Sequence, residues 1–117
     1  EMDQPNKAQR AYEKAIALNP ADACSRAALA GLYRQVGNIE AYREQIEQAQ
    51  PLIAMENEYN RACFAAISGQ TEEAVKLLRQ AIKLQQVEVN WAQRDPDFQF
   101  IRQDPRYRTL VGLPLAD

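Results

Sequence analysis

Apolar and polar positions alternate along the first 85 residues with the period of a helix rather than that of a strand. Ala8, Tyr12, Ala15, Ile16 and Leu18 fall at spacings of three and four, which predicts a helix over 3–18 with these residues on one face. Asn19-Pro20 stops it, because the residue before a proline is pushed away from helical angles. Asp22 is a cap for a second helix over about 23–35, whose stripe is Leu29, Leu32, Tyr33 and Val36. Gly37-Asn38 ends that helix and opens a third over about 39–49, with Tyr42, Ile46 and Ala49 inward and Pro51 as the break. A fourth helix is predicted over about 54–68, closed by Gly69-Gln70. A fifth is capped by Thr71, buries Ala74, Leu77, Leu78, Ala81, Ile82 and Leu84, and sets Glu72 and Glu73 against the positive end of its dipole. The short alternation in "VEVNW" has no partner run nearby, so no strand signal competes with the helices.

The pattern repeats. Gly37 and Gly69 lie 32 residues apart, and so do Ala30 and Ala62; Ala15, Ala49 and Ala81 are separated by 34 and then 32. Two helices per unit at a period near 34 mark an α-solenoid, in which a helix pair too small to bury its own apolar face stacks on the next. In the stretch "YNRACFAAISGQ", small residues at 62, 65 and 66 permit close helix approach and Gly69 turns the chain.

Beyond residue 85 the pattern changes. Asp95-Pro96 and Asp104-Pro105 each place a helix-capping carboxylate before a proline that has no N–H to lose. They predict short helices over about 96–103 and 105–111, preceded by another over 89–94. Trp91, Phe98, Ile101, Tyr107, Leu110 and Val111 form the inward set. A cover of this kind is what the bare apolar face of a last repeat requires.

These residues carry a resemblance. "AQRAYEKAIALNP" resembles the second helix of a tetratricopeptide repeat, with Ala8, Tyr12, Ala15 and Pro20 at that family's small, aromatic, small and proline positions. "SRAALAGLYRQVGN" resembles a first helix through Leu29, Ala30, Tyr33 and Gly37. "YNRACFAAISGQTEEAVKLLRQAIKL" resembles a nearly complete repeat through Ala62, Gly69, Ala74, Leu78 and Ala81. Tyr42, Ile46 and Arg61 depart from the family pattern. The "DPDFQFIRQDPRY" run resembles the closing segment of bacterial tetratricopeptide arrays. The resemblance implies an all-α fold, a right-handed α-α superhelix of antiparallel helix pairs with a short-helix C-terminal cap. It divides a single domain over 1–117 into the second helix of a partial repeat (1–20), repeats at 21–52 and 53–86, and a capping tail (87–117).

Composition narrows the chemistry. The net charge of −2, with basic residues scattered, gives no field for nucleic acid, and no run of 18 apolar residues spans a membrane. With no histidine, two cysteines and four isolated glycines, the chain lacks the imidazole base, the usual zinc set and the phosphate-cradling loop. Asp95, Asp97 and Asp104 lack the glycine turn of a calcium loop. Cys24 and Cys63 have no evident activating partners, so an inert packing or groove role is expected. The expectation is a non-enzyme with no metal and no cofactor, in a reducing, cytoplasmic setting. "EMDQ" reads as a cut end, and the chain as the C-terminal part of a longer protein.

Function follows from the resemblance. First helices of tetratricopeptide arrays line a concave groove that binds peptide segments of other proteins, and the resemblance implies that this chain is a protein–protein interaction scaffold with a peptide partner. Mapped onto this sequence, the groove residues are Ala27, Gly31, Arg34 and Gln35 from one repeat and Glu56, Tyr59, Asn60, Cys63 and Ile67 from the next. Arg34 suits a carboxylate, Asn60 a peptide amide, and Tyr59 offers an aromatic wall. The Lys-and-Asn clamp for chaperone tails is missing, since Cys24, Ala27 and Glu56 occupy its lysine positions. The alternatives are a structural or oligomerising module, with a homodimer through the Ala8–Tyr12 face of the first helix, or a regulatory domain of a larger multidomain protein or enzyme.

Overall fold

A computed structural model of the chain describes the backbone over residues 3–115 and side chains over 7–115; the opening Glu1-Met2 lies outside the described residues. The fold is all-α. Its elements are α1 (Asp3–Leu18), α2 (Ala23–Val36), α3 (Ile39–Ile53), α4 (Glu58–Ile67), α5 (Thr71–Lys83), α6 (Val89–Ala92), a 3-10 helix (Pro96–Ile101) and α7 (Pro105–Val111). They form two compact units, residues 1–55 and 56–117. Among the described residues no helix is long and apolar enough to cross a membrane.

In the 1–55 unit, α2 packs against both α1 and α3. A helix with neighbours on two sides needs small residues at the contacts, and Ala23, Ala27, Ala30 and Gly31 are buried there beside Leu29. The expected stripe is therefore only partly inside: Leu32 and Tyr33 are half-buried, and Val36 is 65% exposed at the helix end. Leu18 likewise lies outside, in the last turn of α1. Asp22 accepts a hydrogen bond from the Ser25 N–H at 3.1 Å, and Asn38 from that of Ala41 at 3.3 Å. Each satisfies a donor that the first helical turn leaves without a partner. Pro51 does not break the chain as expected. α3 runs through it to Ile53, because Ala49 and Ile53, four residues apart, are both buried and hold the last turn in place.

In the 56–117 unit, α4 and α5 form an antiparallel pair that meets the 3-10 helix and α7. Ala62, Ala65 and Ala66 of α4 are buried, as are Ala74, Leu77, Leu78 and Ala81 of α5. Leu84 is exposed. α4 begins at Glu58 rather than near 54, because the Asn57 side chain accepts from the Asn60 N–H at 2.8 Å and sets the start. Thr71 is the first residue of α5 and not its cap; Gln70 precedes it without a side-chain capping bond.

The closing segment follows the Asp-Pro signals. Asp95 accepts from the Asp97 N–H at 3.0 Å, and Asp104 from that of Arg106 at 2.8 Å. The first of these two short elements is a 3-10 helix ending at Ile101. Phe98, Ile101, Tyr107 and Val111 are buried, and Leu110 is half-buried. Trp91 is not inward: α6 is a single turn that buries Ala92, leaving Trp91 47% exposed beside the Arg94 guanidinium.

Candidate functional site

The expected binding residues divide between the two units. On α2, Ala27, Gly31, Arg34 and Gln35 share one helical face. Ala27 and Gly31 are buried, Arg34 is half-buried with its guanidinium 6.0 Å from the Tyr42 ring centre, and Gln35 is exposed. The polar surface on α2 is therefore Arg34 and Gln35.

Around α4, Asn60 and Glu56 are half-buried, and the Asn60 amide donates to Glu56 at 2.9 Å. Of the other three, Ile67 and Cys63 belong to the interior and Tyr59 is half-buried against it. Ile67 is fully buried. Cys63 is buried in the core of the unit, with its sulfur 4.0 Å from an Asp95 carboxylate oxygen. The Tyr59 ring meets Phe98 edge-on, centroids 5.9 Å apart, and its hydroxyl donates to Asp95.

Tyr59 and Cys63 thereby enter a polar cluster that no local pattern announces. The ligating atoms of Cys63, Asp95 and Asp97 all lie within 4.8 Å of one another. Burial raises the Asp97 carboxyl to about 6, helped by the neighbouring Asp95 charge. Burial also pushes up the Cys63 thiol, with the charges of Asp97 and Asp95 adding to it. The Tyr59 phenol is raised for the same first reason, and then by its bond to Asp95. At neutral pH both thiol and phenol keep their protons, and a protonated thiol is a poor nucleophile. The two oxygens of Asp95 are already engaged, one by the Asp97 N–H and the other by Tyr59. The arrangement does the work of a tie, joining the closing segment to α4. Asp104 is apart from it, in an ion pair with Arg106 at 3.0 Å.

Two further residues complete the tie. The Gln86 side chain accepts from the Tyr59 N–H at 3.0 Å and donates to Glu58 at 2.7 Å, which satisfies the start of α4 from the end of α5. Arg102 donates to the carbonyls of Gln93 and Asp95 and to the Tyr107 hydroxyl. Its position seven residues after Asp95, inside the Asp-Pro run, was the one sequence signal for it.

The surfaces left for a partner are thus polar patches on helices whose interiors are filled with small residues. Such all-helical repeat folds are typical of non-catalytic scaffolds. No curated protein and no solved structure gives a significant match to the chain. The tetratricopeptide repeat family model matches residues 1–22, which contain α1, and residues 59–87, which contain nearly all of α4 and α5. The middle pair, where Tyr42 and Ile46 depart from the family pattern, lies between the two matches. Over those two stretches the chain is related to the tetratricopeptide repeat family.

Proposed function

We propose that the protein is a non-catalytic scaffold that binds a peptide segment of a partner protein through its first-helix surfaces. The carrying observation is the α4–α5 helix pair, which coincides with the tetratricopeptide match over 59–87. On this reading Asn60 and Glu56 of the 56–117 unit bond main-chain amides of the partner, and Arg34 and Gln35 offer a separate polar patch on the 1–55 unit. Tyr59, Cys63 and Ile67 act from behind, by holding α4 rigid. A preformed surface of this kind loses little ordering entropy on binding.

The test is selection of a displayed peptide library on the whole chain, followed by affinities for Asn60→Ala and Arg34→Ala. Helical content is checked by circular dichroism. A loss of about tenfold in at least one variant is expected, the size of a typical interface contact above 1 kcal/mol. Peptides that bind both variants as tightly as the parent chain would refute the reading.

One observation favours self-association as a second reading. Leu18, Val36, Ile39 and Met55 in the 1–55 unit are all large, apolar and exposed. The Ala8–Tyr12 face of α1 is itself half-buried. Light scattering across concentration separates the readings, since a scaffold binding peptide alone stays monomeric.

A further inference from the structure

We propose that the furrow between α5 and α7 docks an acidic peptide segment of a partner protein. It uses residues separate from those of the first-helix surfaces, and it does not depend on that reading.

α5 packs against α7 within the 56–117 unit. Two hollows of about 310 and 290 Å³ open along the seam and share Arg79 and Arg106 as walls. Pro105, Thr109 and Leu110 complete the first, and Glu72, Val75 and Lys76 the second. The shared walls make them one continuous furrow. Its apolar surface comes from Pro105, which is exposed, and Leu110, which is half-buried, while Val75 is buried at its floor. Its cations stand on both banks: Lys76 and Arg79, three residues apart on one face of α5, and Arg106 on α7.

The charges are unevenly used. Arg106 is paired with Asp104. Lys76 and Arg79 are exposed and make no ion pair among the described residues. Glu72 is the one acid lining the furrow. A guanidinium presents a planar fork that receives a carboxylate through two parallel hydrogen bonds, and arginine is enriched at interface cores for that reason. A strip of apolar surface flanked by cations fits a segment that alternates carboxylate and aliphatic side chains. A nucleic-acid strand fits poorly. Its evenly spaced phosphates have no use for the apolar strip.

The experiment is a titration of the ¹⁵N-labelled full chain with a blocked hexapeptide of alternating Asp and Leu. The same peptide with Asn for Asp, and a short single-stranded RNA, are run in parallel. The expected result is amide shifts confined to 72–80 and 105–110 with the acidic peptide, weakening as salt is raised. Arg79→Gln and Lys76→Gln each reduce the affinity by several-fold. Both side chains are exposed, so the variants keep the fold, which the unshifted remainder of the spectrum verifies. Asn60→Ala leaves this binding unchanged. Four outcomes overturn the proposal: no shift at saturating peptide, shifts centred elsewhere, an equal response to the Asn peptide, or occupation of the furrow by RNA in preference.

Discussion

The Tyr59 hydroxyl donates a hydrogen bond to the Asp95 carboxylate across 36 residues of sequence, linking the first turn of α4 to the cap of the 3-10 helix. Asp95 is the buried charged side chain of the described core, 6% exposed, and both of its oxygens have partners. This pair decides how firmly the closing segment is held.

Tyr59→Phe removes the hydroxyl and leaves one Asp95 oxygen with only the weak Cys63 thiol donor, 4.0 Å away. A buried acceptor without a partner costs about 1–3 kcal/mol. The unfolding free energy extrapolated from urea denaturation should fall by that amount, lowering the midpoint in proportion, while circular dichroism of the native state is unchanged. An unaltered midpoint would mean that water replaces the phenol at no cost.

Stability should also depend on pH through Asp97. Its folded value, about 6, lies above the ordinary 3.8. A folded value raised in this way contributes stability that is fully present below the ordinary value and is lost as pH rises through about 6. The groups facing Asp97 are Asp95 beside it and Cys63 on α4, with Tyr59 behind them. Urea midpoints should therefore fall between pH 4 and pH 7, and Asp97→Asn should flatten that slope. A midpoint that rises over the same range would reverse the sign and discard the account.

The helix ends make a matched pair of predictions. After α4, Gly69 is left-handed at φ 84°, with Gln70 N–H bonded to the Ala65 carbonyl at 2.8 Å. After α5, Gln85 takes the same conformation at φ 60°, with Gln86 N–H bonded to Ala81 at 2.9 Å. Both are Schellman ends, but only one has the residue that fits them without a Cβ penalty. Gly69→Ala should cost about 1 kcal/mol. A Cβ there meets nothing within 4 Å, so that cost is conformational alone. Gln85→Gly should gain roughly the same amount. Calorimetric Tm values of the two variants should move in opposite directions.

The two thiols should differ in reactivity. Cys24 is exposed, and Cys63 is buried with its thiol held protonated. A chromogenic disulfide reagent should modify Cys24 in the native chain and reach Cys63 only on unfolding. Rapid reaction of both would show that the closing segment opens readily. In Tyr59→Phe, the Cys63 reaction should accelerate.

Helix number, helix order and most helix ends were legible in the residues themselves. Asp22, Asn38, Asp95 and Asp104 bond an N–H two or three residues on, and Gly37 and Gly69 close a turn with carbonyls in the same helix. Capping is chemistry over a few residues, so a short window of sequence contains all of its participants. Where a boundary was misplaced, the reason was equally local at Asn57, but at Pro51 it was the burial of Ala49 and Ile53. Which residues of a face go inside was a different matter. Cys63 and Ile67 were expected on a binding surface and stand in the core, with Tyr59 half-buried against it, while Trp91 was expected inside and stands out. Periodicity marks a face, but it does not say which distant segment will cover it. That depends on contacts between residues tens of positions apart, each stabilised by burial and by partners brought up from the other segment. Asp95, Asp97, Tyr59 and Cys63 became one cluster only when the closing segment folded back onto α4.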